Sequence, residues 1–425
     1  MKSVVQIQRQ GKVKDLRASA AAAGLPTEEI ETTVALIQAL IPLGLQAVGE
    51  ALNAEVTALA GPRYCRTGGQ SDVVRWGQQR GSVYLADQKL PIPVPRVRNR
   101  TVNREVTLTT YEQLQRPRAA DAGLFRKILV GLTCRQYAAC AEAVPDAFGL
   151  SASSVSRRFI RASARHLQTF CERRLDRDEF VALVLDGKTF AEDAMVIALG
   201  ITLQGQKKIL GFVQTATENE PVCAAFLRAL VERGLRVEPG LLCIIDGAKG
   251  LRKAVQTVFG ARALVQRCQW HKRENVVRYL PKGQQAAWRR RLQQAYERPT
   301  YAEARPALGQ LRQEWRGLNV SAAASLDEGL EETLTLHRLG LFPTLGGSLK
   351  TTNCLESLNA QLGQLTDKVD HWRTADQKHR WVASALLLIE PRLRRIKGYR
   401  HLPLLRAALQ AEIGRTEKSK GVAVA

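Results

Sequence analysis

The stretch Phe180-Val-Ala-Leu-Val-Leu-Asp186 is an apolar run with β-branched residues that ends in a carboxylate. A run of this length and composition predicts a strand that is buried on both faces. A second stretch, Leu241-Leu-Cys-Ile-Ile-Asp246, has the same character and also ends in an aspartate. We therefore predict two buried strands, each of which places one carboxylate at its C-terminal end.

The segments around these two strands predict a mixed α/β core. Two further strands, joined by a tight turn at Gln204-Gly205-Gln206, follow the first, and helices alternate with the later strands. These elements are predicted at 195–203, 208–213, 220–233, 248–258 and 263–267. Three hairpin-connected strands followed by helix, strand, helix and strand are the element order of a ribonuclease-H-like core. We predict that 176–270 and 346–395 form this core, that 271–345 is an all-α insertion, and that 396–425 is a basic C-terminal tail.

The charge balance of the 425-residue chain predicts a polyanionic partner. The chain contains 63 lysines and arginines against 40 aspartates and glutamates, which gives a formal net charge of +23. Such an excess favours nucleic acid as the partner. An anionic membrane is the rival, but the longest uncharged apolar stretch, 34–49, is too short to span a bilayer. The N-terminus lacks the pattern of a secretory signal, so we expect a cytoplasmic, nucleoid-associated protein.

The N-terminal part of the chain predicts a mainly α DNA-binding region. Apolar spacing predicts a helical element within 1–60, kinked or interrupted at Pro42. The segment 61–119 is typical of a β-hairpin or extended arm, and its alternating basic residues would share one face of a strand. These residues are Arg96, Arg98 and Arg100. A phosphate-contacting arm and a solvated basic loop are both compatible with this pattern.

A helix-turn-helix is predicted within 120–175. The pattern indicates a helix over 120–144, a turn around Gly149, Ser151 as an N-cap, and then a second helix. The start of the second helix carries small polar and basic side chains suited to base edges and phosphates. These are Ser154, Ser156, Arg157 and Arg158. An ordinary helical hairpin is the alternative interpretation.

The two aspartates that end the buried strands predict a catalytic metal site. If the strands are neighbours, Asp186 and Asp246 meet at one edge of the sheet, where a cation must compensate their charge. Carboxylates and phosphate oxygens suit Mg²⁺ (or Mn²⁺), and two such ions about 4 Å apart can assist phosphodiester cleavage. Glu356, early in a predicted helix, is the candidate third carboxylate. A single aspartate at a strand end is more often a turn or cap residue, so the prediction depends on all three.

Several sequence blocks resemble the signature blocks of mutator-like transposases of bacterial insertion sequences. The blocks are Asp186-Gly187, 243–251, 266–275, 351–359 and Arg380-Trp381, within a resemblance that runs from about residue 50 to 395. The resemblance implies that Asp186, Asp246 and Glu356 are the acidic catalytic triad. It also implies that the helical segment before Glu356 is the insertion domain of the family, and that Cys268 and His271 are auxiliary active-site residues of its Cys-x-x-His motif.

The residues around this motif allow more than one interpretation. Cys268 and His271 could ligate zinc, but two ligands do not make a closed site, and we favour His271 as a neighbour of the active site that contacts phosphate or positions water. Trp270 could stack on an extruded base, although a core tryptophan is the commoner role. Arg267, Lys272 and Arg273 could neutralise DNA phosphates or form a solvated basic turn.

Together these patterns predict a DNA transposase with a divalent metal cofactor of two ions. It would bind the terminal inverted repeats of its element, free a 3′-hydroxyl and join it to a second, target strand of double-stranded DNA. The family resemblance implies a homodimer or a larger assembly on DNA. Two alternatives remain at this point: a catalytically silent DNA-binding protein derived from a transposase, and a ribonuclease-H-like nuclease without strand transfer.

Overall fold

The computed structural model of the protein describes residues 31–64, 72–85, 88–115, 118–141, 147–190, 193–215 and 219–422. The chain has a mixed α/β fold that divides into two compact units, 1–162 and 163–425. Predictions that concern 1–30 and 142–146 lie outside the described residues. Within the described part of the chain, no helix combines the length and the apolar character needed to cross a membrane.

The first unit begins with a long helix packed on a small antiparallel sheet. Helix α1 spans Glu31–Ala60 without interruption at Pro42, and strands β1 (Val73–Leu85), β2 (Gln88–Asn99) and β3 (Arg104–Val106) form the sheet in that order. The predicted β-hairpin is thus present, with a third short strand added. Apolar side chains of α1 and of the alternating inner positions of the strands form the core of this region: Val48, Leu52, Val56, Val83, Ile92, Val94 and Val97.

The rest of the first unit is helical, but its first long helix is shorter than predicted. Helices α2 (Thr109–Leu114) and α3 (Arg118–Leu129) precede a 3₁₀ turn at Ala138–Cys140. Gly131, at φ +118°, ends α3 together with a bond from the amide of Leu132 to the carbonyl of Lys127, so the helix does not reach 144.

The second predicted helix of this pair is present as α4, Ala152–Glu172. Its predicted cap is also present, because the Ser151 hydroxyl accepts a 3.4 Å hydrogen bond from the Ser154 amide. The segment 130–151 that separates α3 from α4 is longer than the short turn of a simple helix-turn-helix. That motif therefore stays a prediction.

The second unit is built on a five-stranded mixed sheet. Its strands are β4 (Phe180–Phe190), β5 (Asp193–Thr202), β6 (Lys207–Thr215), β7 (Leu241–Ile245) and β8 (Ala263–Arg267). The order across the sheet is β6-β5-β4-β7-β8. The first three strands are antiparallel neighbours, whereas β7 is parallel to β4 and β8 is parallel to β7. The predicted strands, and the tight turn at Gly205 with φ +78°, are all found.

Two helices cover one face of this sheet. Helices α5 (Glu220–Glu232) and α6 (Lys249–Phe259) are the crossovers that lead into β7 and, through the 3₁₀ turn Gly260–Arg262, into β8. Their apolar sides pack on alternate residues of the two central strands, including Leu183, Leu185, Cys243 and Ile245. Because side chains alternate between the two faces of a strand, the residues between these positions point away from α5 and α6.

An entirely helical segment separates β8 from the last part of the unit, as predicted. It comprises α7 (Gln269–Val277), α8 (Lys282–Tyr296), α9 (Tyr301–Leu318), α10 (Val320–Asp327), α11 (Leu330–Thr333) and α12 (Thr335–Arg338). These helices have an apolar core of their own, in which Trp288 and Trp315 contact each other with ring centroids 5.0 Å apart. We call this segment the helical insertion.

The chain ends in four helices, and the last of them corrects a prediction. They are α13 (Phe342–Leu349), α14 (Asn353–Thr366), α15 (Ala375–Ile389) and α16 (Leu402–Val422), with 3₁₀ turns at Glu390–Arg392 and Tyr399–His401. The prediction of a basic tail over 396–425 is wrong for the described residues. Leu402, Leu405, Leu409 and Ile413 recur at helical spacing and are buried.

Candidate active site

Asp186 and Asp246 lie at neighbouring positions of the sheet. The prediction that the first strand ends at Asp186 is wrong, because β4 continues to Phe190 through its pairing with β5. Leu185 of β4 pairs with Ile245 of the parallel strand β7, so Asp186 and Asp246 occupy the next corresponding positions on the two strands. Neighbouring strands are about 4.8 Å apart, and residues in register on parallel strands point to the same face. The pairing therefore places the two aspartates next to each other at the C-terminal end of β7, and Asp186 points to the face opposite α5 and α6.

The two carboxylates have different surroundings. Asp186 lies within β4, pairs with Ile197 of β5, and is buried, with 6% of its surface exposed. Asp246 follows the end of β7 and is half-buried, and its Oδ1 accepts a 2.9 Å hydrogen bond from the amide of Ala248. Gly247, which lies between Asp246 and Ala248, has φ +112°, a conformation that glycine adopts more easily than other residues. This turn fixes the direction of the Asp246 side chain.

Glu356 lies in the first turn of α14, and its side chain is exposed. The helix is attached to β4, because the Lys188 ammonium donates a 2.9 Å hydrogen bond to the carbonyl of Asn359. Lys188 lies two residues after Asp186 on β4, so both side chains point to the same face of the sheet. The start of α14 is therefore on the same side of the sheet as Asp186.

Cys268 and His271 connect β7 to the start of α14. The amide of Cys268 donates a 2.7 Å hydrogen bond to the carbonyl of Ile245, the residue before Asp246. The Thr352 hydroxyl contacts both Cys268 Sγ at 3.7 Å and His271 Nδ1 at 3.4 Å, and the amide of Glu356 donates to the carbonyl of Thr352. His271 is thus connected through Thr352 to the start of α14, and Cys268 is connected to the end of β7. The auxiliary role of these two residues stays a prediction.

The donor chemistry of this site fits a hard divalent cation. Two neighbouring carboxylates are the kind of ligand that Mg²⁺ takes, and Mg²⁺ commonly completes its shell with water and substrate phosphate. In the described part of the chain, no three histidine, cysteine, aspartate or glutamate side chains are grouped closely enough to hold a metal ion. Glu356 therefore does not join Asp186 and Asp246 in a three-carboxylate cluster here. Cys268 and His271 do not form part of such a group either, and burial raises the pKa of the Cys268 thiol.

Comparison with known proteins places this chain in a family. The model of the family described as "Transposase, Mutator family" matches residues 20–387. The chain belongs to the Mutator family of transposases. It is 28% identical over 291 residues to the Staphylococcus aureus transposase for insertion sequence element IS256 in transposon Tn4001, which covers 64% of this chain and 70% of that protein.

Two further relatives of this transposase are also proteins of insertion sequences. The Rhizobium meliloti transposase for insertion sequence element ISRM5 is 30% identical over 289 residues, which is 65% of this chain and 69% of the relative. The Lactococcus lactis transposase for insertion sequence element IS905 is 26% identical over 333 residues, which is 76% of this chain and 81% of the relative. The predicted family membership is confirmed.

Three basic residues near the Cys-x-x-His motif do not have the exposed position predicted for them. Arg267 and Lys272 of the transposase are buried, with 6% and 3% of their surfaces exposed. Each donates to backbone carbonyls inside the protein rather than facing solvent. Arg273 is mostly buried and bonds to Glu274 and Gln293 within the helical insertion. Their charges compensate internal carbonyls and carboxylates, so neither the DNA-contact nor the solvated-turn interpretation describes them.

Trp270 also differs from the favoured interpretation. The side chain is not a core residue, because 41% of its surface is exposed. Its ring lies edge-on to the ring of His271, with centroids 4.8 Å apart. The transposase therefore presents an exposed aromatic surface beside His271.

In the first unit, the basic residues predicted to bind DNA are only partly available. Arg96 forms a two-pronged ion pair with Glu105, at 2.8 and 2.9 Å, and Arg98 lies 4.9 Å above the exposed ring of Trp76. Arg100 is exposed. On α4, Arg157 is exposed, Ser154 and Ser156 are half-buried, and Arg158 is buried beside the ring of Tyr84 at 5.2 Å. Arg158 therefore does not have the exposed position expected of a phosphate contact.

Sequence reasoning missed the residues that hold the site in place. Thr352, Lys188 and the turn glycine Gly247 each connect a predicted functional residue to a second element. Of these, only Gly247 carried a local signal, because a glycine directly after a strand-ending aspartate indicates a tight turn. The other two act through contacts between distant segments, which no local pattern encodes.

Proposed function

We propose that this transposase cleaves DNA at the ends of its element and joins the freed 3′-hydroxyl to a target strand, using Asp186, Asp246 and Glu356. The observation that carries the proposal is the register of β4 and β7, in which the residues just before Asp186 and Asp246 are paired, so that the two aspartates occupy adjacent positions. The strand order β6-β5-β4-β7-β8, with three antiparallel strands and two parallel ones, supports a ribonuclease-H-like core as the scaffold.

Asp186 and Asp246 would hold Mg²⁺ or Mn²⁺, as a pair of ions, together with phosphate oxygens of the DNA. When bound, such ions stabilise the charge that develops on the attacking and leaving oxygens of a phosphodiester. Glu356, exposed at the start of α14, is proposed as the third carboxylate, where it can accept a proton from the attacking water.

The neighbouring residues have supporting roles in this proposal. Thr352 holds the His271 ring through Nδ1, so that the other ring nitrogen is available to a phosphate oxygen or a water. The exposed ring of Trp270, beside His271, is proposed to stack on a base near the cleaved bond. Aromatic stacking tolerates any base and is worth about 1–3 kcal/mol.

DNA recognition is proposed for the first unit. Arg157 on α4 and Arg100 after β2 are exposed cations, and Trp76 with Arg98 adds an aromatic and cationic surface on the sheet. In this proposal α4 is the second helix of a helix-turn-helix that reads the terminal inverted repeats. Because two ends must be held together for transposition, a homodimer or larger assembly on double-stranded DNA is part of the proposal.

The test uses the full chain, Mg²⁺ and labelled DNA from the mapped ends of the element that carries the gene. Wild type is expected to give cleaved and joined products, and Asp186→Asn neither, with end binding retained. Cleavage by Asp186→Asn at the wild-type rate would overturn the active-site assignment. Cleavage without any joined product would instead favour a nuclease, and end binding without cleavage by wild type would favour a silent DNA-binding protein.

A further inference from the structure

A buried arginine joins the Asp246 turn to the helical insertion. Arg267, the last residue of β8, donates a 2.5 Å hydrogen bond to the carbonyl of Gly247 and a 2.6 Å hydrogen bond to the carbonyl of Glu328. Gly247 directly follows Asp246, whereas Glu328 caps the C-terminus of α10 in the helical insertion. Only 7% of the Arg267 side chain is exposed. One guanidinium thus bonds to two backbone positions that are 81 residues apart in the sequence.

Two glycines with left-handed backbone leave room for this guanidinium. A Cβ built at Gly247, φ +112°, would overlap the Arg267 side chain, and so would a Cβ built at Gly329, φ +69°. The backbone of both segments therefore approaches the arginine more closely than a residue with a side chain would allow. Arg267 thus links the helical insertion to the turn that carries Asp246.

A second buried cation strengthens the contact on the insertion side. The Lys272 ammonium donates to the carbonyls of Ser325, at 2.6 Å, and Glu328. These carbonyls end α10, where the helix dipole favours positive charge. The Glu328 carboxylate is 3.7 Å from Arg267 and 3.8 Å from Lys249, the first residue of the helix that follows Asp246.

We propose that Arg267 is a positioning residue, through which the helical insertion sets the direction of the Asp246 carboxylate and so the affinity of the acidic site for divalent metal. The inference rests on the proposed function, since it takes Asp246 to be a metal ligand. It differs from the sequence-based expectation that Arg267 contacts DNA. Residues that orient a ligand in this way commonly change metal affinity by about 10–100-fold when replaced.

The first test measures Mn²⁺ binding to the full chain by calorimetry, without DNA. Arg267→Gln is expected to weaken Mn²⁺ binding by about 10–100-fold, and Arg267→Lys by less, since a lysine keeps the charge and can reach one carbonyl. The matched control is Arg406→Gln. Arg406 is equally buried and donates to the carbonyls of Phe180 and Gly240, at the opposite ends of the same strands. The control is expected to lose stability and keep its Mn²⁺ affinity.

A second test perturbs the contact from the insertion, without touching β8. Gly329→Ala adds a methyl group against Arg267, whereas Gly340→Ala adds one where nothing lies within 4 Å. The two glycines have nearly the same backbone, φ +69° and φ +70°, so the strain of the substitution is matched. We expect weaker Mn²⁺ binding in Gly329→Ala only.

The outcomes separate the inference from the proposed function. If Asp186→Asn and Asp246→Asn leave Mn²⁺ binding unchanged, the proposed metal site is wrong and the inference fails with it. If those two variants abolish binding while Arg267→Gln and Gly329→Ala match their controls, the metal site stands and the positioning role of Arg267 is wrong.

Discussion

At the N-terminal ends of β4 and β7, Arg406 of α16 donates to the carbonyls of Phe180 and Gly240. At the C-terminal end of β7, Arg267 donates to the carbonyl of Gly247, and it also donates to that of Glu328 in the helical insertion. Both arginines are buried and bond to backbone. Arg406, however, joins the strands themselves to the last helix, whereas Arg267 supports a turn that carries a carboxylate. The comparison teaches that the same buried cation stabilises the fold at one end of the sheet and arranges candidate ligands at the other.

The largest expected effect is on the rate of DNA cleavage, and it concerns the C-terminal end of β7. Asp246→Asn is expected to reduce DNA cleavage by about a thousandfold, equivalent to about 4 kcal/mol in the barrier, because a charged ligand is lost. The same change removes a negative charge beside Asp186, so the protein without metal should unfold at the same or a higher temperature. Thermal unfolding with and without Mg²⁺ measures both effects. A metal-dependent rise in the midpoint that persists in the variant would contradict the assignment.

We expect a substitution of Arg406, at the N-terminal ends of β4 and β7, to lower the stability of the protein and to leave DNA cleavage unchanged. Arg406→Met leaves two buried carbonyls without their donor and also removes the partner of Glu179 at 3.7 Å. We expect the second unit to lose about 2–4 kcal/mol of unfolding free energy. Urea denaturation followed by circular dichroism gives this value, and cleavage by the fraction that remains folded should be unchanged. A large loss of cleavage in folded protein would remove the distinction between the two ends.

The second cation at the C-terminal end predicts a pH dependence of stability. Burial, with a contribution from the nearby Arg267, lowers the pKa of Lys272 from 10.5 to about 8. Below pH 8 both the folded and unfolded states carry the proton, and the folded state bears the full cost of the buried charge. As pH rises from 8 to 10.5 the folded state releases its proton first, so stability contributed by this site increases, by about 2–3 kcal/mol.

Lys272→Met isolates this effect. Wild type should gain about 2–3 kcal/mol relative to the variant between pH 7 and pH 10, measured by denaturation at each pH. Lys282→Met, at an exposed position at the start of α8, is the matched control and should give no such trend. If the difference in unfolding free energy between wild type and Lys272→Met does not change with pH, the ammonium is not desolvated by its contacts with α10.

The smallest expected effect concerns the exposed aromatic beside the site. Trp270→Ala should change unfolding free energy by less than about 0.5 kcal/mol, because its ring is largely outside the core. It should weaken binding of end DNA by about 1–3 kcal/mol if the ring stacks on a base. Trp315→Ala, at a fully buried tryptophan of the helical insertion, is the contrasting variant and should cost about 3–5 kcal/mol of stability. Fluorescence anisotropy with labelled DNA measures the binding term.

The errors of sequence reasoning follow the same division between local and distant contacts. The sequence around Lys272 and Arg267 is as basic as that of a solvated turn. Both side chains are nevertheless buried, where they bond to carbonyls at the C-terminal end of α10. The segment 396–425 contains many charges, yet Leu402, Leu405 and Leu409 are buried against other parts of the protein. The local sequence pattern does not reveal which surface covers them.

The sequence alone determined the elements of the sheet and the aspartate that lies in or directly after each of its two central strands, since hydrophobic periodicity and turn residues act over a few neighbouring residues. It did not determine that β4 continues past Asp186 to Phe190, which depends on pairing with β5. It also determined the family, through blocks such as 243–251 and 351–359. Only the tertiary structure decided that β4 pairs with β7. It also decided that Arg267 of β8 bonds both to the turn after Asp246 and to the helical insertion. Those contacts join segments tens of residues apart, and their energy depends on burial and geometry that exist only once the chain has folded.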